Sequence, residues 1–320
     1  MLARKLKVSD GVRPGLLIVT ASLIALPHHV GAQDRPTFRA QVDRVAVAAV
    51  VRDQRGKPVT NLTAEDFQLF DRGRPTPIVD FRAGESPVSL ALLADFSGSM
   101  DVARKRAAVR EITSHVLSWL APGKDQVGLF AFDRHLQELH PFAPAPAGIL
   151  DALDTLKPYG KTSLFDAIAE TGRRVAAEGG TRRAVLALTD GADNASDLTP
   201  SEVSSIASAI DVPVYIVVVV SPLDRAHKST MVDEHLEAML TGRLGDLARR
   251  TGGDIFAATG PAPTSIAARQ IVAELRHQYL IAFEPSTQPG WHPIDLRTRD
   301  TDLVVRARSG YVVRSGSGRP

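Results

Sequence analysis

The chain is 320 residues long and contains no cysteine. That excludes disulfides, Cys-ligated zinc, iron–sulfur clusters, thiol catalysis and a lipidated N-terminal cysteine. A lasting excess of charge is also missing. With 38 Lys+Arg against 36 Asp+Glu and a pI of about 9.0 the chain looks basic. Removing residues 1–32, however, takes away four bases and one acid, leaving 34 bases against 35 acids and a formal charge of −1. Lys and Arg are scattered without aromatic interleaving, which disfavours nucleic acid as a partner. The third absence is an apolar run long enough to span a bilayer, which takes about 20 residues. The uncharged stretch Gly15–Leu26 has 12 residues, and the longest apolar run elsewhere, Val212–Val220, is strand-like. A hydrophobic content of 44% with 23% charge is that of a globular protein. The length suggests about two domains.

The short apolar stretch sits in the setting of a secretory signal peptide. Arg4, Lys5, Lys7 and Arg13 precede it, Pro27 breaks it, and Val30-Gly31-Ala32 places small residues before Gln33. The expectation is a cleavable leader over 1–32, cut near Ala32-Gln33. The mature chain would be exported to the periplasm or beyond, with no stable membrane insertion.

In the mature chain, residues 33–85 read as a small β-rich segment. A Val-rich strand covers 42–53, and a hairpin runs from Phe67–Phe70 through Asp71–Arg74 to Ile78–Phe81. At Ser86 the pattern changes. Val88–Asp95 is a nearly continuous apolar run, as in a strand buried on both faces, and Val109, Ile112, Val116 and Leu120 follow at helical spacing. Further strands over Val127–Phe132, Ala184–Asp190, Val214–Val220 and Asp254–Ala258 alternate with helices over 149–156, 164–177, 244–250 and 265–277, with a polar insertion at 221–243. This alternation predicts a doubly wound, mostly parallel α/β sheet over 86–277. Residues 278–314 are again β-rich and are expected to pair with the N-terminal segment as one small domain, followed by a flexible tail at 315–320.

The informative chemistry lies at strand ends. Asp95-Phe96-Ser97-Gly98-Ser99 follows the first buried strand, Thr162-Ser-Leu-Phe-Asp166 follows a Gly-containing loop and opens a helix, and Thr189-Asp190-Gly191 ends the second buried strand. In open α/β sheets sites collect at the carboxyl ends of strands. Two carboxylates and three hydroxyls, Asp95, Ser97, Ser99, Thr162 and Asp190, are hard oxygen ligands suited to Mg²⁺ or Mn²⁺ and possible for Ca²⁺. The ordinary alternatives are turn residues and helix N-caps.

This set resembles the von Willebrand factor A domain with its metal-ion-dependent adhesion site (MIDAS). Asp95, Ser97 and Ser99 match the family's Asp-x-Ser-x-Ser, Thr162 its Gly-Thr threonine and Asp190 its Thr-Asp-Gly. Lys161 departs from the pattern, where many members carry Gly. Leu62–Phe67, the hairpin to Phe81 and Arg306–Val312 resemble an acidobacterial-type subgroup of exported von Willebrand factor A-related proteins. The resemblance implies a Rossmann-like fold and one divalent metal. The hydroxyls would bind it directly, the carboxylates directly or through water. An open coordination position would then attract an Asp or Glu from a partner protein. The implied function is non-enzymatic, metal-dependent, adhesion-type protein binding. The alternative is a structural or assembly factor of the cell envelope whose metal only stabilises.

Other chemistries fit poorly. Gly160-Lys161-Thr162 looks like the end of a phosphate loop, but the pattern needs Gly at 155, where Thr155 stands. An aspartate-nucleophile phosphatase needs a second acid where Ser97 stands. Neither Ser97 nor Ser99 sits in a Gly-x-Ser-x-Gly elbow. The histidines show no ligand-pair spacing.

Overall fold

The computed structural model describes residues 44–101, 105–144, 147–178, 180, 182–209, 211–220 and 230–313. The leader over 1–32 and the tail over 315–320 lie outside the described residues, as do residues 221–229 of the insertion. Among the described residues no helix is long and apolar enough to cross a membrane.

Six strands form the central sheet: β5 (Val88–Asp95), β6 (Gln126–Phe132), β7 (Leu136–Pro144), β8 (Arg182–Thr189), β9 (Val214–Val219) and β10 (Ile255–Ala258), in the order β10-β9-β8-β5-β6-β7. All pair in parallel except β7, which runs antiparallel to β6. Helices cover both faces. α1 (Lys105–Trp119), α2 (Ile149–Thr155) and α7 (Pro261–Arg276) supply Val109, Ile112, Leu153 and Ile271 to one core; α3 (Leu164–Ala177), α4 (Pro200–Ala209) and α6 (Arg243–Arg250) supply Ile168, Val203 and Leu247 to the other. Alternate strand residues divide between the cores. Leu90, Leu92 and Ala94 face the first and Ala91 and Leu93 the second, so β5 is buried along its whole length. This is why its sequence is apolar without a period of two.

The other strands make two four-stranded antiparallel sheets, β13-β1-β11-β4 and β14-β12-β2-β3. They comprise β1 (Val45–Arg52), β2 (Phe67–Asp71), β3 (Arg74–Thr76), β4 (Asp80–Arg82), β11 (Tyr279–Phe283), β12 (Gly290–Thr298), β13 (Val304–Ala307) and β14 (Gly310–Val313). N-terminal β1 pairs with C-terminal β11 and β13, and N-terminal β2 with C-terminal β12. Val47, Val51, Phe67, Leu69, Ile281, Phe283 and Leu296 form their common core.

The expected hairpin is corrected. β2 turns back only through β3, at Leu69↔Thr76, whereas Asp80–Arg82 crosses to the other sheet and pairs with β11. Pro75 and Pro77 lack the N–H that a longer arm would donate. The crossing also sets the Phe81 ring 5.7 Å from Phe67 and 5.8 Å from Tyr279.

These sheets meet the α/β unit at the amino ends of its parallel strands. The Arg306 guanidinium donates to Asp254, just before β10, at 2.6 Å and also reaches Glu274 of α7. Arg52 pairs with Glu274 as well, and the Tyr215 hydroxyl at the start of β9 donates to it at 3.2 Å. Arg182 Nη2 donates to the Gly84 carbonyl at 2.7 Å. The opposite edge, where β5 and β8 end, carries the candidate ligands.

Candidate metal centre

From β5 the chain moves to β6 and β7 on one side and later to β8, β9 and β10 on the other, so the strand order reverses between β5 and β8. Crevices at the carboxyl ends of such a pair are the usual binding positions of open α/β sheets. Asp95 is the last residue of β5, and Asp190 follows the last residue of β8.

Asp95 is buried, at 1% exposure. Its Oδ1 accepts the Ser97 N–H at 2.9 Å and its Oδ2 accepts the Thr189 hydroxyl at 2.7 Å. Burial nevertheless raises its pKa to about 6, because the hydrogen bonds from Ser97 and Thr189 only partly offset desolvation. The Ser97 and Ser99 hydroxyls lie 3.2 Å apart. Burial opposes ionisation of Asp190 too, but hydrogen bonds from Lys105 and Ser99 outweigh it and hold that carboxyl below the usual range. Asp95, Ser97, Ser99 and Asp190 are thus brought into one small network.

Thr162 reaches the same edge on the loop before α3 and is buried. The Gly98 N–H donates to the Gly160 carbonyl at 3.1 Å, and the Tyr159 N–H to that of Phe96 at 3.0 Å, which docks this loop on the Asp95–Ser99 turn. Thr162 is not the N-cap of α3; Ser163 occupies that position. Side chains after β8 satisfy the first helical N–H groups instead: Asp193 and Ser196 accept from Phe165, and Ser196 also from Asp166. Asn194 Oδ1 accepts the Thr162 N–H at 3.0 Å, and the Asn194 and Ala195 N–H groups return bonds to the Thr162 carbonyl. The clasp residues Asp193, Asn194 and Ser196 are short polar residues of the kind common in turns. Their only signal is a run of capping side chains directly after Asp190.

Gly191 completes the turn with φ +86°, a left-handed conformation suited to glycine. A Cβ there would lie 2.3 Å from Met239 Sδ. The insertion helix α5 (Thr230–Thr241) therefore packs against the Asp190 turn, a placement that sequence left open. Lys161, the departure noted in the sequence, is exposed. Among the described residues the cation in the network is Lys105, at the start of α1. Its Nζ donates to Asp190 Oδ2 at 2.7 Å and to the Ser99 carbonyl at 3.3 Å.

Among the described residues no three His, Asp or Glu side chains gather as a metal-ligating group. Any ion here would depend on hydroxyls as well as on the two carboxylates. Such an all-oxygen donor set, with one buried carboxylate, fits a hard divalent cation.

Residues 90–192 match the family model described as the von Willebrand factor type A domain. The chain is a mixed α/β protein with a mostly parallel central sheet and flanking antiparallel sheets, consistent with that fold. Several solved structures are similar. A von Willebrand factor type A protein from Catenulispora acidiphila is 14% identical, covering 78% of this chain and 76% of its own, at a TM-score of 0.47. The conserved hypothetical protein BatB from Bacteroides thetaiotaomicron is 16% identical, covering 59% and 98%, at 0.47. Proximal thread matrix protein 1 from the mussel byssus, in a structure with a zinc-occupied MIDAS motif, is 15% identical, covering 65% and 50%, at 0.47. No curated protein matches the chain.

Proposed function

We propose that this chain is an exported, non-enzymatic protein-binding module that holds one divalent metal, with Mg²⁺ the first candidate and Mn²⁺ or Ca²⁺ the others. Asp95, Ser97, Ser99, Thr162 and Asp190 would hold the ion. A bound ion would supply an electrostatic anchor for an Asp or Glu of a partner protein. The observation that carries this reading is the hydrogen-bonded gathering of Asp95, Ser97, Ser99 and Asp190 where the strand order reverses. The match of residues 90–192 to a family of interaction modules supports it. The leader over 1–32, a domain over 86–277 framed by β-rich flanks 33–85 and 278–314, and kinship with acidobacterial-type exported proteins belong to the same proposal.

The ion pair between Lys105 and Asp190 favours a second reading, in which the site is structural and its metal only stabilises. A pulldown of cell-envelope proteins with Mg²⁺ or with EDTA, using wild type and Asp95→Ala, separates the two. Under the first reading, capture by the wild type requires Mg²⁺ and Asp95→Ala captures nothing. Capture that survives EDTA assigns the interface elsewhere. Equal capture by both proteins in Mg²⁺ removes Asp95 from the interaction.

A further inference from the structure

Among the described residues, Lys105 is the one charged side chain bonded to the network that the Asp-x-Ser-x-Ser, Gly-Thr and Thr-Asp-Gly motifs do not account for. Its side chain is 14% exposed and that of Asp190 9%, so the pair is largely shielded from water. The ammonium spans two candidate ligand segments, taking Asp190 Oδ2 after β8 and the Ser99 carbonyl after β5. The other Asp190 oxygen, Oδ1, accepts the Ala192 N–H at 3.2 Å. A cation seeking Asp190 Oδ2 therefore meets an ammonium already bonded there. The four-carbon stem of Lys105 starts at the first residue of α1, and long stems of this kind can carry the charged head out to water while their methylenes stay on protein.

Resting on the metal-binding reading above, we propose that Lys105 is an internal competitor for the metal: its ammonium and a divalent cation exclude one another at Asp190, so loading the site requires Lys105 to leave. The competition has two consequences. Lys105 weakens metal affinity by the strength of the pair that must break. It also neutralises Asp190 whenever no divalent ion is present, so the sheet edge keeps its order without metal.

Isothermal titration of Mg²⁺ into the purified chain and into Lys105→Met tests the first consequence. Lys105→Met keeps an unbranched, lysine-like side chain and removes the charge. The variant is expected to bind about tenfold more tightly, a difference of about 1.4 kcal/mol. Its melting temperature should fall below wild type in EDTA and recover in saturating Mg²⁺. Amine-reactive labelling of the wild type, read by mass spectrometry, provides a second measurement and does not depend on the variant folding. Labelling of Lys105 should rise severalfold on adding Mg²⁺ while that of Lys57 stays constant. If both proteins bind Mg²⁺ with equal affinity, or if Lys105 labelling is unchanged at saturation, the competitor role is overturned and the metal site stands. If neither protein binds a divalent cation, the metal-binding reading fails and this inference falls with it.

Discussion

The two ends of the central sheet treat buried charge in opposite ways. At the amino ends, Glu274 is 1% exposed and shared by Arg52, Arg306 and Tyr215, while Asp254 also accepts from Arg306. Every one of these acids faces an arginine from the flanking β-sheets, and the charges are spent inside the protein. At the carboxyl ends, Asp95 receives only neutral donors among the described residues, Ser97 and Thr189, and burial leaves its pKa at about 6. Asp190 has one lysine. Acids matched by fixed guanidinium groups hold elements together, whereas the proposed metal site leaves its buried acid short of positive charge.

The comparison breaks first at its stronger end. Arg306→Ala is expected to cost about 3–5 kcal/mol, because removing one partner leaves the buried Glu274 and the half-buried Asp254 under-compensated. Urea denaturation of variant and wild type reads this directly. A loss under about 1 kcal/mol would place the junction among ordinary surface ion pairs. At the other end, Asp95→Ala is expected to weaken Mg²⁺ binding by more than about a hundredfold, beyond what loss of an outer-shell partner costs, as measured by titration calorimetry. Its folding stability in EDTA should drop far less than that of Arg306→Ala, because the carboxyl already carries a desolvation penalty. If the variant instead loses stability and keeps metal, Asp95 belongs with the structural acids.

A proton provides the next test. Protonation of Asp95 removes a candidate ligand charge, and burial places that event near pH 6. Mg²⁺ affinity should therefore be nearly flat above about pH 7 and fall roughly tenfold per pH unit below about pH 6, one proton competing with each ion. In EDTA the sign reverses. The folded-state pKa lies above the ordinary aspartate value near 4, so folding takes up a proton between about pH 4 and pH 6. The contribution of this group to stability is fully present below that window and is lost as pH rises through about 6. Melting curves across pH 4–8, with and without Mg²⁺, should diverge; Asp95→Asn should abolish the divergence.

The strands that frame this contrast were legible in the sequence; the charge pairs at their amino ends were not. The apolar runs at 88–95, 184–189 and 214–219 declared buried parallel strands because each feeds side chains to two cores at once. The Asp, Ser and Thr positions stood out as candidates because they stand where those runs or the loop before α3 end. Illegible were contacts that only the assembled sheet creates. Lys105 and Asp190 are 85 positions apart, and their pairing depends on β5 and β8 becoming neighbours. Asn194 and Thr162 meet in the same way, 32 positions apart. The hairpin to Phe81 was misread because local alternation does not say which sheet a short strand joins. Two prolines and the Phe67–Tyr279 ring cluster decide that.

The smallest expected effect belongs to Lys161, the residue that sequence marks as the departure. It shares the loop with Thr162 and carries the same charge as Lys105, so proximity along the chain would make it the stronger influence on a bound cation. Exposure argues otherwise. Lys161 is exposed, whereas the Lys105 side chain is 14% exposed and bonded to the Asp190 carboxylate. A solvated ammonium interacts through water and counter-ions and contributes roughly 0–1 kcal/mol, so Lys161→Ala should change Mg²⁺ affinity by less than about fivefold. Raising salt from 50 to 500 mM should erase that change, whereas the gain of Lys105→Met should persist because its partner is shielded from solvent. A Lys161→Ala effect equal to that of Lys105→Met would mean that charge near the rim acts through the general field, and that direct competition at Asp190 is not what limits metal binding.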